Sequence, residues 1–353
     1  MSTHEQKVRL AMRAIAFKKT RALLVLVVAA AALPLASSTA AAAAVPIELC
    51  AKAGTVTLPG EVGSPVPIWG FGIPTTAGDC STATASLPGP LLTVNQGDVV
   101  TVTLRNALPA GAGDVTHTAR LEIPGVSFNP GATDAAVGAS VDVTFTASAP
   151  GTYQYQSSGD AGRQEAMGLY GAFIVRPTSA PDTPIPGQAY GSATTAFDVE
   201  ATLVLSAVDP AFNAAPDTFD LHAYRATSWL INGKAYPDTT PITVPTPTAG
   251  KKVLLRYVNA GFDNTSMLLL GMHQRVLARD ARLLNNPFDA DAETIPAGGT
   301  EDAIATFPSS PPPSANGFPL LNRQLHVTNG PQTGTSPAPA TGGGGMLTFI
   351  KAP

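Results

Sequence analysis

Residues 150–177 read P-G-T-Y-Q-Y-Q-S-S-G-D-A-G-R-Q-E-A-M-G-L-Y-G-A-F-I-V-R-P, and this stretch decides the fold. Ala149-Pro150-Gly151 is a turn signal, and the residues after it read as a hairpin whose second arm is the apolar run ending at Val175. Upstream, residues 141–146 (V-D-V-T-F-T) alternate apolar and polar side chains, as a half-buried strand does. Residues 90–106 contain two more such runs around an Asn-Gln-Gly-Asp turn. Leu92 and Val94, then Val100, Val102 and Leu104, keep the two-residue period. No segment of this region sustains a helical period.

Composition agrees with an all-β chain. Charged residues make up only 13% of 353, while Gly and Pro each number 33; few charges and much turn punctuation suit short strands better than surface helices. Residues 1–44 stand apart. Lys7, Arg9, Arg13, Lys18, Lys19 and Arg21 precede an apolar core at 22–36 and an alanine-rich tail. That is the pattern of a secretory signal peptide, with Ala42-x-Ala44 fitting a cut before Val45. The rival reading is an uncleaved anchor, but the strongly apolar core is shorter than the ~20 residues a spanning helix needs. The remainder is expected to be exported, periplasmic or extracellular, with no stable membrane anchor.

Of the 21 basic and 25 acidic residues, six and one lie in residues 1–44, leaving 15 and 24 and a net charge of −9. That excludes nucleic acid as a partner class, which requires clustered Lys and Arg. Cys50 and Cys80 are the two cysteines. In an oxidising compartment they are expected to form one disulfide that pins the N-terminal arm. Metal-binding thiolates are the other reading, although nothing near them in sequence supplies further ligands.

Several pieces of text resemble the multicopper oxidase superfamily. Pro88-Gly-Pro-Leu-Leu92 followed by Gly97-Asp-x-Val-x-Val-x-Leu-x-Asn106 is similar to the opening of that family's first domain. Gly151-Thr-Tyr-x-Tyr155 and Met167-Gly-Leu-Tyr-Gly-Ala-Phe-Ile-Val175 resemble its close. Trp229-Leu-Ile-Asn-Gly-Lys-Ala-Tyr-Pro237, with its Asn-Gly hairpin signal, resembles a strand pair of the second domain. Residues 252–261, 276–280 and 295–301 continue the likeness. The resemblance implies two cupredoxin-like Greek-key β-sandwich or barrel domains in tandem. They are expected at 45–177 and 197–353, with an interdomain linker at 178–196. The Pro-rich 307–319 loop and the 328–345 tail are expected to be mobile.

The resemblance also implies copper, and here the residues depart from it. The family writes Y-x-Y-H-S-H where this chain writes Tyr153-Gln-Tyr-Gln-Ser-Ser158, so Gln156 and Ser158 stand at degenerate ligand positions. They are expected to share a strand face, as paired histidines would. A type 1 centre needs a thiolate, and the family's H-C-H run has no counterpart in the cysteine-free C-terminal half. His117, His222, His273 and His326 are dispersed and form no H-x-H pair. His117 reads as a surface loop histidine or a vestige of a ligand pair. Met272 and His273, with Met267 nearby, could offer a soft Cu(I) site, or simply core packing. His326 could serve with Met346 if folding joined them. His222 sits in a polar turn. No catalytic residue is nominated, since G-x-S-x-G, phosphate-loop and H-E-x-x-H motifs are absent. Arg163 and Glu165 read as an exposed ion pair.

Three functions emerge as expectations. The first is a copper-free structural or partner-binding module of the cell envelope, not an enzyme and with no cofactor. The second is an oxidoreductase subunit of multicopper oxidase type, its copper site completed by a partner, such as a copper oxidase, or by a homo-oligomer. The third is a weak copper-trafficking protein. Copper is the one cofactor these readings admit.

Overall fold

In the computed structural model, residues 43–59, 65–113, 115–179, 183–329 and 344–353 are described. The signal-peptide reading therefore lies outside the described residues except at its last two positions. So does the 328–345 tail between 330 and 343.

Among the described residues strands dominate, and helices are short, the longest being Pro210–Ala214. One sheet has the order Val66–Gly72, Ala44–Val56, Val99–Ala107, Ser140–Thr146. Ala44–Val56 runs antiparallel to the first and parallel to the third. Facing it, Leu92–Asn95, Tyr170–Arg176 and Gly151–Gln156 form a three-stranded sheet. The alternating residues behave as the two-residue period requires: Val100, Val102 and Leu104 are buried and pack with Phe145, Tyr155 and Phe173 in one apolar core. The turn between Leu92–Asn95 and Val99–Ala107 is closed by Asp98, whose carboxylate accepts from the Asn95 amide at 2.7 Å.

The second half repeats the plan. Ser228–Ile231, Val199–Val208, Lys252–Asn259, Thr300–Thr306, Gln274–Arg279 and Arg282–Ala290 make one sheet, again with a parallel pair between the second and third strands. The opposing sheet includes Thr265–Leu269, Phe318–Asn322 and Leu347–Lys351. Leu255, Tyr257, Met267, Leu320 and Ile350 fill a second core between them. The chain thus has the all-β, cupredoxin-like tandem architecture that its text implies. At the Asn-Gly turn, Asn232 and Gly233 take φ of 53° and 73°, the left-handed pair of a tight hairpin. A Cβ on Gly233 would meet the Leu87 carbonyl oxygen at 1.6 Å, so this second-half turn is seated on the first half.

The described residues form one compact unit, because the two cores are bound through polar burial as well as apolar contact. Arg256 has no exposed surface, and its guanidinium donates to Glu200 at 2.6 Å, Asp302 at 3.2 Å and Thr152 at 3.0 Å. Thr152 and Tyr190 each donate to Asp302 at 2.5 Å. The segment expected as a linker is packed down: Ala189 is fully buried against Leu254, Leu277 and Ile304. The 307–319 loop is anchored at both ends by Phe307 and Phe318, whose rings meet edge to face at 5.2 Å. Cys50 and Cys80 are joined by a disulfide, which ties the long first strand to the 80–82 turn.

Candidate functional site

The strand Gly151–Gln156 has two faces with different work. Tyr153 and Tyr155 point into the first core, while Thr152, Gln154 and Gln156 form the other row. Thr152 reaches the Asp302–Arg256 cluster, so this row faces the second half. Gln156 pairs with Glu122 through two backbone hydrogen bonds of 2.9 Å, which sets their side chains beside each other on one face.

The strand ends at Gln156, although the Ser157 amide still donates to the Leu169 carbonyl. Ser158 lies past that end and is half-buried. The alternation on which a face shared by Gln156 and Ser158 depended therefore stops short of Ser158. Instead Ser157 is the buried one. Its hydroxyl accepts from the Arg120 amide at 2.8 Å and donates to Gln164 at 2.7 Å. Gln164 in turn donates to the Thr118 carbonyl and the Asp160 carboxylate. Asp160, Ala161 and Gly162 all have positive φ, a tight reversal that starts the one-turn helix Arg163–Ala166.

That helix delivers Glu165 to Gln154. The Gln154 amide nitrogen donates both to Gln156 Oε1 at 2.6 Å and to Glu165 Oε1 at 3.0 Å, while its own Oε1 is buried without a partner. Burial, with the nearby Glu122 carboxylate adding to it, pushes Glu165 up to about 7 against the pull of the Gln154 hydrogen bond. The expected Arg163–Glu165 ion pair is not formed. Arg163 turns away to the carbonyls of Pro216 and Phe219 at 2.7 and 3.0 Å, which it satisfies at a loop end. Gln154 and Glu122 go unread in the sequence and Glu165 reads there only as the partner of Arg163, although Gln154 precedes Gln156 by two residues, the spacing that marks a shared face.

The histidines are placed elsewhere. His117 is buried, contrary to its reading as a surface loop residue, because its ring is edge-on to Trp69 with centroids 4.3 Å apart. Its Nδ1 lies 2.7 Å from the Pro109 carbonyl and its Nε2 2.8 Å from the Asp217 carboxylate. Both ring nitrogens are thus engaged, so neither is free to bind a metal. Met272 is buried in the second core with Met267, whereas the neighbouring His273 is exposed and pairs with Asp291 at 2.6 Å. Adjacent positions thus send thioether and imidazole to opposite sides. His326 stacks flat on Trp229 at 4.3 Å, and burial holds its pKa below the usual 6.5. Folding does bring its backbone to Met346, whose amide donates to the His326 carbonyl at 2.9 Å. The Met346 sulfur itself faces the Asn322 amide at 3.7 Å. His222 sits in the short exposed turn Leu221–Ala223, which Asp220 caps by accepting from the His222 amide at 3.0 Å.

Copper does not fit these side chains. The two sulfurs that could act as thiolates are bonded to each other, and the amides of Gln154 and Gln156 are poor replacements for imidazole. Among the described residues, no group of three or more His, Cys, Asp or Glu side chains could hold a metal ion. Nor is any helix among them long and apolar enough to cross a membrane.

A multicopper oxidase family model matches residues 74–180, the span that contains this cluster. Laccase-3 of Botryotinia fuckeliana is 28% identical over 243 residues, which cover 62% of this chain and 48% of that protein. The chain thus spans about half the length of that relative. Blue copper oxidase from Nitrosomonas europaea has the same fold, with a TM-score of 0.67 at 22% identity over 88% of this chain and 86% of that one. A copper nitrite reductase from Nitrosomonas europaea gives 0.59 at 18% identity, over 87% and 94% of the two chains. The family match on the hairpin and the likeness of the fold around it lead to one conclusion: residues 74–180 match the multicopper oxidase family, and the chain has the cupredoxin-like fold of solved multicopper oxidases.

Proposed function

We propose that this protein is an exported, copper-independent module of multicopper oxidase type that serves the cell envelope as a structural or partner-binding element. The observation that carries this reading is the filling of the ligand position by Gln156, whose side chain is engaged by Gln154 rather than left free. The Cys50–Cys80 disulfide supports it twice over, since it removes both thiols and suits an oxidising compartment. The basic-then-apolar composition of residues 1–44 supports export.

Elemental analysis of protein from its native source, beside recombinant protein exposed to copper, tests the proposal. Below ~0.1 copper per chain is expected in both, as for a fold whose family chemistry has been lost. Stoichiometric copper in the native sample alone would replace this reading with a site completed by a partner. Copper in both would overturn it.

A further inference from the structure

We propose that Glu122, Glu165, Gln156 and Gln154 form a binding site for a hard divalent cation of the Ca2+/Mn2+ class. Four side chains from three segments converge here. Gln154 and Gln156 lie on one strand face, Glu122 stands across from Gln156, and the helix Arg163–Ala166 brings Glu165. The cluster has too many acceptors. Gln156 Oε1 and Glu165 Oε1 share the one NH2 group of Gln154, and among the described ion pairs neither Glu122 nor Glu165 has a basic partner.

The second observation is Gln154 itself. It is 1% exposed, its Nε2 is aimed into the cluster, and its Oε1 has no donor. A buried acceptor left in this way is destabilising unless something supplies positive charge. Nε2 now holds Gln156 Oε1 and Glu165 Oε1 at 2.6 and 3.0 Å, so it occupies a point between two oxygens. Rotating that amide by half a turn would present a third oxygen to the same point. The two carboxylates balance a divalent charge, and an all-oxygen donor set selects Ca2+, Mn2+ or Mg2+ rather than copper.

The test is titration of the chelator-treated full chain with Mn2+, monitored by the electron paramagnetic resonance of free Mn2+ and by competition with Ca2+. One Mn2+ per chain, displaced by Ca2+, is expected. Glu165→Gln should weaken binding at least ~10-fold, and Gln156→Glu, which adds a charged ligand, should tighten it by about as much. Asp289→Asn, on the exposed Arg282–Ala290 strand, should leave binding unchanged. No saturable binding below ~1 mM Mn2+, the weak end for protein Ca2+ sites, would overturn the proposal. So would binding indifferent to both Glu165→Gln and Gln156→Glu, which would assign the ion to surface carboxylates. Should Glu165→Gln fail to fold, Gln156→Glu decides alone. Copper in the native protein would defeat the proposed function and leave this titration unaffected.

Discussion

His117 and Asp217, 100 residues apart, meet through a 2.8 Å hydrogen bond between Nε2 and Oδ1. With Nδ1 on the Pro109 carbonyl and the ring against Trp69, the imidazole is held at both nitrogens inside the first half. Asp217 comes from the loop after the helix Pro210–Ala214, whose Phe212 is part of the first core. This contact therefore fastens a second-half segment to the first.

Removing that contact should cost stability rather than activity. His117→Ala is expected to lower the unfolding free energy by about 2–4 kcal/mol, from lost packing and two lost hydrogen bonds. Asp217→Asn should cost less, about 1–2 kcal/mol. Urea unfolding monitored by tryptophan fluorescence reads both. A change under ~0.5 kcal/mol in His117→Ala would return this residue to the surface class.

Arg256 is the counter-charge for Asp302 and Glu200 where the halves meet. Arg256→Met should destabilise by about 3–5 kcal/mol, because it strands a fully buried Asp302 carboxylate. Adding Asp302→Asn to it should restore part of the loss, which a double-mutant cycle in denaturant would reveal.

Glu301 is pushed up to about 8, chiefly by burial and next by the Glu293 carboxylate, despite its bond from Arg279 at 3.1 Å. A carboxyl with a folded pKa above its unfolded one binds more protons when folded, so stability falls as pH rises from about 4.5 through about 8. Glu301→Gln should flatten that decline, leaving the variant more stable relative to wild type at pH 9 than at pH 5. Thermal melts across this range measure it, and parallel pH profiles would refute it.

The disulfide closes a loop between residues 30 apart. Cys50→Ala with Cys80→Ala should lower stability by about 3–4 kcal/mol on loop-closure grounds. Chemical denaturation of the double variant gives the value, and an unchanged midpoint would show that the bond is dispensable.

Local patterns in the text carried the architecture. The alternation at Val100, Val102 and Leu104, the Asp98 turn and the Asn232-Gly233 hairpin depend on residues within a few positions of one another, so sequence alone determined them. The same holds for what Gln156 is not: an amide cannot do the work of an imidazole wherever it is placed. Which groups meet was another matter. Arg163 and Glu165, two residues apart, face different partners, and Met272 and His273 part to core and solvent, because burial is settled by elements far away in the chain. His117 became buried with both nitrogens engaged only because the fold brings Asp217 to it, and Gln154 became an unsatisfied acceptor only when the helix bearing Glu165 closed over it. The sequence by itself determined the strands, their turns and the loss of the copper-type ligands. Tertiary structure alone decided the polar cluster that stands there, since its members come from three segments whose meeting no local preference encodes.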